Sequence, residues 1–247
     1  MRTVRQLAWI ATAIGLCTAA PANALDCGHV VSAGHALTVC RADVHGDSIQ
    51  LFLNDETGRP FHTIAALEKS VAASGKRLVF AMNAGMFQPD YSPVGLLIEH
   101  GTEISPLNLK NARGNFFLKP NGVFYLSGNG AGVVQSAEFP KVAAKATLAT
   151  QSGPMLVIQG QIHYRLSNTS TSRYIRNGVG VDDTGKVVFA VSEAPLTLYE
   201  LATAFRDDLH CPNALYLDGS VTSVYAPALN IDIQRANLGP ILAVIEK

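Results

Sequence analysis

The sequence predicts an α/β fold of the α+β type: a single domain with a mixed β-sheet, hairpins and a few packed helices. Short apolar runs typical of buried strands recur along the chain, whereas only two segments have helical spacing. Hairpin-turn signals at Asn121-Gly122 and Asp183-Thr184-Gly185 indicate neighbouring strands that reverse direction. The strand candidates are residues 37–44, 48–54, 77–82, 94–99, 115–119, 122–126, 155–158, 174–181, 186–192, 214–217, 222–225 and 240–245.

The two helices are predicted from their caps and their apolar stripes. Residues 63–74 form the first, with Gly75 at the position where a helix ends. The second begins at Thr197, which is paired with Glu200 in a capping box. Because each helix leads into an inner strand candidate, the order is β-α-β, which favours a mixed sheet. The stripes consist of Ile64, Leu67 and Val71 in the first helix, and of Leu198, Leu201, Ala202, Phe205 and Leu209 in the second.

The first 24 residues have the pattern of an export signal. Arg2 and Arg5 precede an apolar stretch at residues 7–16, and residues 22–24 (ANA) form a small-residue cleavage site. The apolar stretch is shorter than the roughly 20 residues that span a bilayer. We therefore expect a signal peptide at 1–24, a domain at 25–247, export to the periplasm or outside the cell, and no stable membrane insertion after cleavage. A lipid anchor at Cys17 is the alternative, although a bulky residue precedes that cysteine.

Composition argues against several classes of function. The 19 basic and 19 acidic residues cancel, and no basic cluster indicates nucleic-acid or membrane-surface binding. The seven histidines are scattered without an HExxH motif, so we predict no metal site and no cofactor. A divalent cation held by Asp218, Asn83 and carbonyl oxygens stays an alternative. Residues 128–132 (GNGAG) are glycine-rich but precede no convincing helix, so we predict a loop rather than a phosphate site.

Three cysteines would remain after cleavage: Cys27, Cys40 and Cys211. In an oxidising compartment the first two are the natural disulfide, because they would close a short loop. The sequence leaves a partnership of Cys211 with either of them open, since spatial distance decides which cysteines pair. Oligomeric state also stays open.

Polar residues stand at or near the ends of three strand candidates. Asp218 follows the apolar run 215–217 and precedes Gly219, and Asn83 follows strand 77–82. Arg176 lies within strand 174–181 among small and apolar residues. A carboxylate at the end of a buried strand is costly unless it is paired or used. Asp218 is thus either a site residue or the start of an Asx-turn, and Arg176 either faces a ligand or extends along the surface to solvent.

Three motifs contain these residues in order: NxGxF at 83–87, RxxxG at 176–180 and DGxxxS at 218–223. Together they resemble the phosphodiester glycosidase family, in particular its bacterial, exopolysaccharide-related branch, over about residues 27–247. The resemblance implies an exported hydrolase that cleaves a sugar 1-phosphodiester. Where animal members resemble DGGGSS, this chain has DGSVTS, and where they resemble NGGFF it has NAGMF. The larger side chains narrow the room for a ligand.

The resemblance also implies roles for single residues. A phosphodiester leaving group departs as a stable anion, so one carboxylate and one cation could replace the usual pair of carboxyl groups. Asp218 is predicted as base or nucleophile, Arg176 as the phosphate-binding cation, and Asn83 as donor to the sugar or oxyanion. The predicted polar lining comprises Gly85, Gly219, Ser220, Thr222, Ser223, Ser152, Asn121 and Glu193.

Alternatives remain at two of these positions and for the function itself. Ser152 lacks the glycines and the adjacent histidine of a serine nucleophile, which favours a pocket-lining turn. Glu193 is either a second carboxylate or an exposed residue before a helix. The rival function is an exported module that binds a phosphorylated glycan without cleaving it, and turnover distinguishes the two. A structural envelope protein explains the polar strand ends less well.

Overall fold

The computed structural model describes residues 25–142 and 145–246, so the predicted signal peptide at 1–24 lies outside the described residues. Within them the chain is dominated by β-strands. The helices are α1 (Ile64–Ala73), α2 (Phe139–Val142) and α3 (Leu198–Thr203), and α3 continues into a π-helical turn at Ala204–Asp208. None of these helices has the length and apolar character that a membrane crossing needs. Short 3-10 turns lie at Asn115–Phe117, Gly219–Val221 and Pro227–Leu229.

The strands of the described residues are numbered in chain order. They are β1 (Asp26–Ser32), β2 (His35–Ala42), β3 (Ser48–Phe52), β4 (Leu78–Asn83), β5 (Leu97–Glu99), β6 (Thr102–Ser105), β7 (Gly122–Ser127), β8 (Gly130–Gln135), β9 (Ala146–Ser152), β10 (Met155–Ile158), β11 (Gln161–Ile162), β12 (Asn177–Val181), β13 (Val187–Ser192), β14 (Asn213–Tyr216), β15 (Val224–Ala226), β16 (Ile231–Ile233) and β17 (Ile241–Ile245).

These strands form three sheets. Sheet 1 has the order β1-β2-β13-β12-β14-β10-β11, sheet 2 the order β16-β15-β4-β17-β3, and sheet 3 the order β6-β5-β9-β7-β8. Every strand pairing among the described residues is antiparallel. The prediction of a mixed sheet was therefore wrong, and α/β describes this mainly β fold only loosely.

The error has a topological cause. Helix α1 connects β3 to β4, and α3 connects β13 to β14, as the β-α-β order predicted. Each pair of connected strands runs in one direction, but a third strand lies between them and pairs antiparallel with both: β17 in sheet 2 and β12 in sheet 1. Local sequence contains no sign of these insertions, because the inserted strand comes from outside the β-α-β segment.

One buried cluster unites the three sheets. Phe80 of β4 stacks on Phe189 of β13 with ring centroids 4.9 Å apart, so sheets 1 and 2 pack face to face there. Phe124 of β7 belongs to the same cluster and brings in sheet 3. Separate clusters lie beneath the two longer helices, including Leu201 and Phe205 for α3. Burial of these large side chains is the main stabilising contribution.

The predicted helix stop at Gly75 and the predicted capping box at Thr197 are confirmed. Thr63 accepts a hydrogen bond from the N–H of Ala66 at the start of α1, and Gly75 takes the positive φ that ends the helix. At α3 the side chain of Thr197 accepts from Glu200 N at 3.1 Å, while Thr197 N donates to the Glu200 carboxylate at 2.8 Å. These bonds satisfy backbone donors at each N-terminus that have no partner within the helix.

The predicted disulfide is confirmed. Cys27 and Cys40 are directly opposite in the β1–β2 register and are joined, while Cys211 is a buried free thiol. Two local predictions were wrong. Residues 115–119 contain a 3-10 turn rather than a strand, and the glycine-rich segment enters β8 rather than forming a loop throughout. Gly132 allows that hairpin, since a Cβ there would lie 2.6 Å from the hydroxyl of Tyr125 on β7.

Candidate functional site

The ends of β4, β12 and β14 meet where sheets 1 and 2 join, and Asn83 connects them. Its Oδ1 accepts from the side-chain amide of Asn177 and from the N–H of Ser223, the latter at 3.1 Å. Its Nδ2 donates to the main-chain oxygen of Asp218 at 2.8 Å. Asn83 is buried, and these bonds leave it a single unused N–H. Asn83 therefore holds the Asp218 backbone in place.

Asp218 lies immediately after β14 and is half-buried. Its N–H donates to the carbonyl of Ala84 at 3.4 Å, so the chain is held against the end of β4. Its Oδ1 accepts from the N–H of Ser220 at 3.1 Å and from the hydroxyl of Ser220 at 2.5 Å. This is the Asx-turn that the sequence allowed. The second carboxylate oxygen has no hydrogen-bond partner among the described residues and can interact with a ligand.

Arg176 is 3% exposed and immediately precedes β12. Nε donates to the carbonyl of Leu196 at 2.8 Å and Nη2 to that of Ser172 at 2.9 Å. Protein oxygens therefore already accept from the Nε–Nη2 edge, with which an arginine can bind phosphate in a bidentate manner. The guanidinium lies over the rings of Tyr174 and Tyr216, at 5.3 and 5.5 Å. No carboxylate pairs with it in the described part of the chain. Its charge is therefore available to a nearby anion.

Tyr216 connects Arg176 to the Asp218 turn. Its buried hydroxyl accepts a hydrogen bond from Arg176 Nη1 at 3.2 Å. A Cβ at Gly219 would lie 2.2 Å from this hydroxyl, so the turn packs directly on it. Burial raises the pKa of Tyr216 although the Arg176 charge opposes the shift, and the phenol stays protonated at neutral pH. Sequence reasoning missed Tyr216 as a site residue.

Two signals could have found Tyr216. It stands two residues before Asp218, so the two side chains share a face of the β14 direction. Its partner in the β12 register is Gly178, where a Cβ would lie 2.8 Å from the carbonyl of Leu215. A glycine two residues after an arginine, at the start of a strand, thus indicates close packing on that face.

The hydroxyls of Thr222 and Ser223, which follow the Asp218 turn, form hydrogen bonds mainly with the backbone of the same loop. Thr222 Oγ1 lies 3.0 Å from the carbonyl of Gly219 and 3.4 Å from that of Ile175. Ser223 Oγ donates to the carbonyl of Val221 at 2.8 Å and accepts from the N–H of Arg235 at 3.1 Å. Ser220 is exposed beside Asp218. The hydroxyls of Thr222 and Ser223 thus stabilise the shape of the loop, and Ser220 is the one presented to solvent.

Residues 76–238 match the family model described as phosphodiester glycosidase. The matched stretch includes Asn83, Arg176 and Asp218. The chain belongs to the phosphodiester glycosidase family. The resemblance predicted from the three motifs is thereby confirmed.

Known proteins share this family member's sequence or fold. The uncharacterized protein YigE of Escherichia coli (strain K12) is 34% identical over 201 residues, 81% of this chain and 78% of that protein. The catalytic domain of zebrafish N-acetylglucosamine-1-phosphodiester alpha-N-acetylglucosaminidase, auto-inhibited by its pro-peptide, superposes with a TM-score of 0.62 at 14% identity, covering 93% of this chain and 85% of that one. A Synechocystis protein of known structure superposes with a TM-score of 0.56 at 15% identity, covering 90% and 62%. The structural matches establish a shared fold.

Four residues predicted to line the pocket of this family member have other surroundings. A Cβ at Gly85 would lie 2.4 Å from the carbonyl of Gln151, so Gly85 allows β9 to approach closely. Ser152 is fully buried, and its hydroxyl has no partner among the described residues. Asn121 is buried and donates to the carbonyl of Phe116 at 2.9 Å. The fourth residue, Glu193, lies in a separate cleft.

Glu193 faces away from the Arg176–Tyr216 side of sheet 1. Its carboxylate lies 2.5 Å from Nδ1 of His29 and accepts from the hydroxyl of Thr38 at 3.1 Å. Thr222 lines the same cleft, and its hydroxyl contacts the turn that follows Asp218. Thr222 thus links this cleft to the Asp218 turn, and Ser192, which also lines the cleft, accepts a hydrogen bond from the N–H of Arg176 at 2.9 Å.

Of the two side chains proposed for a cation, Asn83 has other partners. In residues 25–142 and 145–246, no three His, Cys, Asp or Glu side chains gather as a metal site requires. The amide oxygen of Asn83 already accepts two protein hydrogen bonds, which removes it as a ready ligand.

Proposed function

We propose that the protein hydrolyses a sugar 1-phosphodiester, with Asp218 as base or nucleophile. The observation that supports this most is a half-buried carboxylate with one unused oxygen, held on the same side as an arginine that has no carboxylate partner. Membership of the phosphodiester glycosidase family supports a hydrolase of the glycosidase type. The zebrafish relative is named for cleavage of an N-acetylglucosamine 1-phosphodiester, which makes a sugar 1-phosphodiester the natural class to test.

The chemistry requires cleavage of the bond between the anomeric carbon and the phosphate oxygen. That oxygen leaves with the bonding electrons as part of a phosphate monoester. Asp218 either attacks the anomeric carbon, to be displaced later by water, or removes a proton from the attacking water. The charge of Arg176 stabilises the departing phosphate, and Tyr216 orients Arg176 and offers an O–H. Asn83 acts mainly by positioning Asp218, with its one unused N–H toward the ligand.

We also propose that the protein acts after export, on a glycan of the cell envelope or an exopolysaccharide. The signal pattern at residues 1–24 and the Cys27–Cys40 disulfide support this location, because disulfides persist in oxidising compartments.

The alternative is a module that binds a phosphorylated glycan without cleaving it. It is favoured by the hydrogen bonds from Arg176 Nε to Leu196 and from Nη2 to Ser172, because an arginine without a free bidentate edge stabilises a departing phosphate less. The bulkier residues Ser220 and Val221 in place of glycines point the same way.

The deciding experiment incubates the purified protein with a panel of sugar 1-phosphodiesters, with and without a chelator. Asp218→Asn should abolish turnover and leave ligand affinity within about threefold, because shape and most hydrogen bonds survive. Asp183→Asn, the same change in an exposed turn, is the matched control and should keep full activity. Full activity in Asp218→Asn would remove the catalytic assignment. Binding by the wild type without any turnover would favour the binding module.

A further inference from the structure

Two neighbouring clefts open beside the candidate site. The first, here called the arginine cleft, has Arg176 and Arg165 in its walls with Ser172, Asn115 and Leu118. The second, the tyrosine cleft, is lined by Tyr164, Lys119, Leu109, Asn121, Gln135 and Ser136. Two pairs of consecutive residues are shared between the clefts. Leu118 lines the arginine cleft and Lys119 the tyrosine cleft, and Arg165 lines the arginine cleft and Tyr164 the tyrosine cleft. The clefts therefore adjoin along two segments and can hold one extended ligand.

Both clefts are cationic. Arg176, Arg165 and Lys119 lie in their walls, and no Asp or Glu does. In the described residues none of the three forms an ion pair with a carboxylate. Arg165 is exposed and its guanidinium makes no hydrogen bond within that part of the chain, whereas Lys119 Nζ donates only to the carbonyl of Leu109. Three unpaired cations along one path select an anionic ligand.

Tyr164 offers an aromatic surface in the same path. It is 78% exposed, an unusual exposure for a large aromatic side chain. Its ring stacks on His163 with centroids 5.0 Å apart, and His163 is buried. Nδ1 of His163 also accepts from the N–H of Arg165 at 3.1 Å. The buried His163 therefore orients both the ring of Tyr164 and the backbone of Arg165. The exposed ring of Tyr164 presents a flat apolar face on which the C–H side of a pyranose can stack.

We infer that the two clefts bind one anionic glycan chain, with a sugar over Tyr164 and a second phosphate between Arg165 and Lys119. This inference rests on the proposed function, which places the reacting phosphodiester near Arg176. The substrate class is then an oligomer or polymer of sugar phosphodiesters, and a single sugar 1-phosphodiester fills only part of the groove.

The test compares sugar 1-phosphodiester oligomers of one and three repeats with a neutral oligosaccharide of the same length. The three-repeat substrate should have a kcat/KM at least about tenfold above that of the single repeat. Tyr164→Ala and Arg165→Gln should each remove most of that gain, and Tyr164→Ala should leave the single repeat unchanged because Tyr164 lines only the tyrosine cleft. Tyr164→Phe should keep the gain because the ring remains. The matched control is Val31→Ala, an exposed apolar residue on β1.

Calorimetry on the Asp218→Asn variant separates this inference from the proposed reaction. Tighter binding of three repeats than of one, without turnover in the wild type, would support the groove and overturn the hydrolase. Turnover with equal kcat/KM for both lengths would overturn the groove and keep the hydrolase. If the neutral oligosaccharide bound as tightly as the three-repeat phosphodiester, the inference would also be overturned, because the cations would then not select for an anionic ligand.

Discussion

Tyr216 and Gly219 are in contact at the candidate site, and this contact limits the size of the side chain that either position tolerates. The hydroxyl of Tyr216 receives a hydrogen bond from Arg176, while the backbone of Gly219 packs against the same oxygen. Asp218 lies between them in sequence and is held from the other side by Asn83. The Tyr216 hydroxyl and the Asn83 side-chain amide thus fix the position of the Asp218 carboxylate from two sides.

A double-mutant cycle tests this contact. Gly219→Ala places a methyl group 2.2 Å from the Tyr216 hydroxyl, so the turn must move, and we expect a loss of activity of tenfold or more. Tyr216→Phe removes the oxygen and leaves Arg176 Nη1 without its acceptor, at a cost of about 1–3 kcal/mol in stability. The next ring atom is 3.0 Å from the added methyl group, so the double mutant should be more active than Gly219→Ala alone. kcat, KM and thermal unfolding are measured for each variant.

Gly28→Ala is the matched control for the cycle, since no atom lies within 4 Å of the added Cβ. Activities that simply multiply in the double mutant would show that the two positions do not act through their contact.

The elements that carry the site are held by local capping and by pairing between distant strands. Helix α3 starts with a capping box and covers the face of sheet 1 that contains Tyr216. Leu196, which holds Nε of Arg176, immediately precedes the Thr197 cap. The start of α3 therefore affects both stability and the position of the arginine.

Thr197→Ala should lower the free energy of unfolding by about 1 kcal/mol, because the N–H of Glu200 loses its acceptor. Since Leu196 adjoins the cap, we also expect a measurable fall in kcat. Urea unfolding and steady-state kinetics are the measurements. Thr102→Ala, at an exposed strand start without a side-chain hydrogen bond in the described residues, should change neither. An unchanged unfolding midpoint in Thr197→Ala would contradict the assigned role of the cap.

The β1–β2 hairpin forms one edge of sheet 1, and the disulfide crosslinks it. Reduction of Cys27–Cys40 should lower the free energy of unfolding by roughly 3 kcal/mol, because the 13-residue separation closes a loop that restricts the unfolded chain. Urea unfolding with and without reductant measures the change. Cys211→Ser provides a variant without the free thiol, in which the same difference should be seen. An unfolding curve that does not respond to reductant would contradict the prediction.

At the scale of the whole molecule, three sheets share one core, and the candidate site lies where two of them join. Stability and site geometry are therefore coupled. One carboxyl group in sheet 3 weakens this assembly at neutral pH. Burial raises the pKa of Glu99, and one of its oxygens is buried without a partner among the described residues.

A raised pKa means that folded protein holds the Glu99 proton more tightly than unfolded protein does. The resulting stabilisation is present below the unfolded pKa and is lost as pH rises through the folded value. Glu99→Gln should therefore increase the melting temperature at pH 7, and the advantage should shrink as pH falls toward about 4. Glu103→Gln, exposed on the neighbouring strand β6, is the control and should show no such dependence. If Glu99→Gln lowered the melting temperature by the same amount at pH 7 and at about pH 4, the conclusion that ionised Glu99 destabilises the fold would be wrong.

Sequence reasoning succeeded where the relevant interactions are local. The helix stop at Gly75, the capping box at Thr197, the apolar stripes of both helices and the Cys27–Cys40 pair involve residues close in the chain, whose preferences do not depend on distant partners. The positions of Asn83 and Asp218 at strand ends were also readable, because a buried strand that meets a polar residue is a local pattern. Arg176 was predicted within a strand, and it lies immediately before β12 instead.

By itself, then, the sequence predicted the two capped helices, the favoured Cys27–Cys40 disulfide and the family, and it offered Asn83, Arg176 and Asp218 as candidate site residues. Only the tertiary structure decided that β12 and β17 enter between strands of the same direction, and hence that the sheets are antiparallel. It also added Tyr216 and Asn177 to the site and placed Glu193 and Asn121 in other clefts. The reason is physical: strand pairing and side-chain contacts join residues more than 100 positions apart, and their energies depend on distances that no local pattern contains.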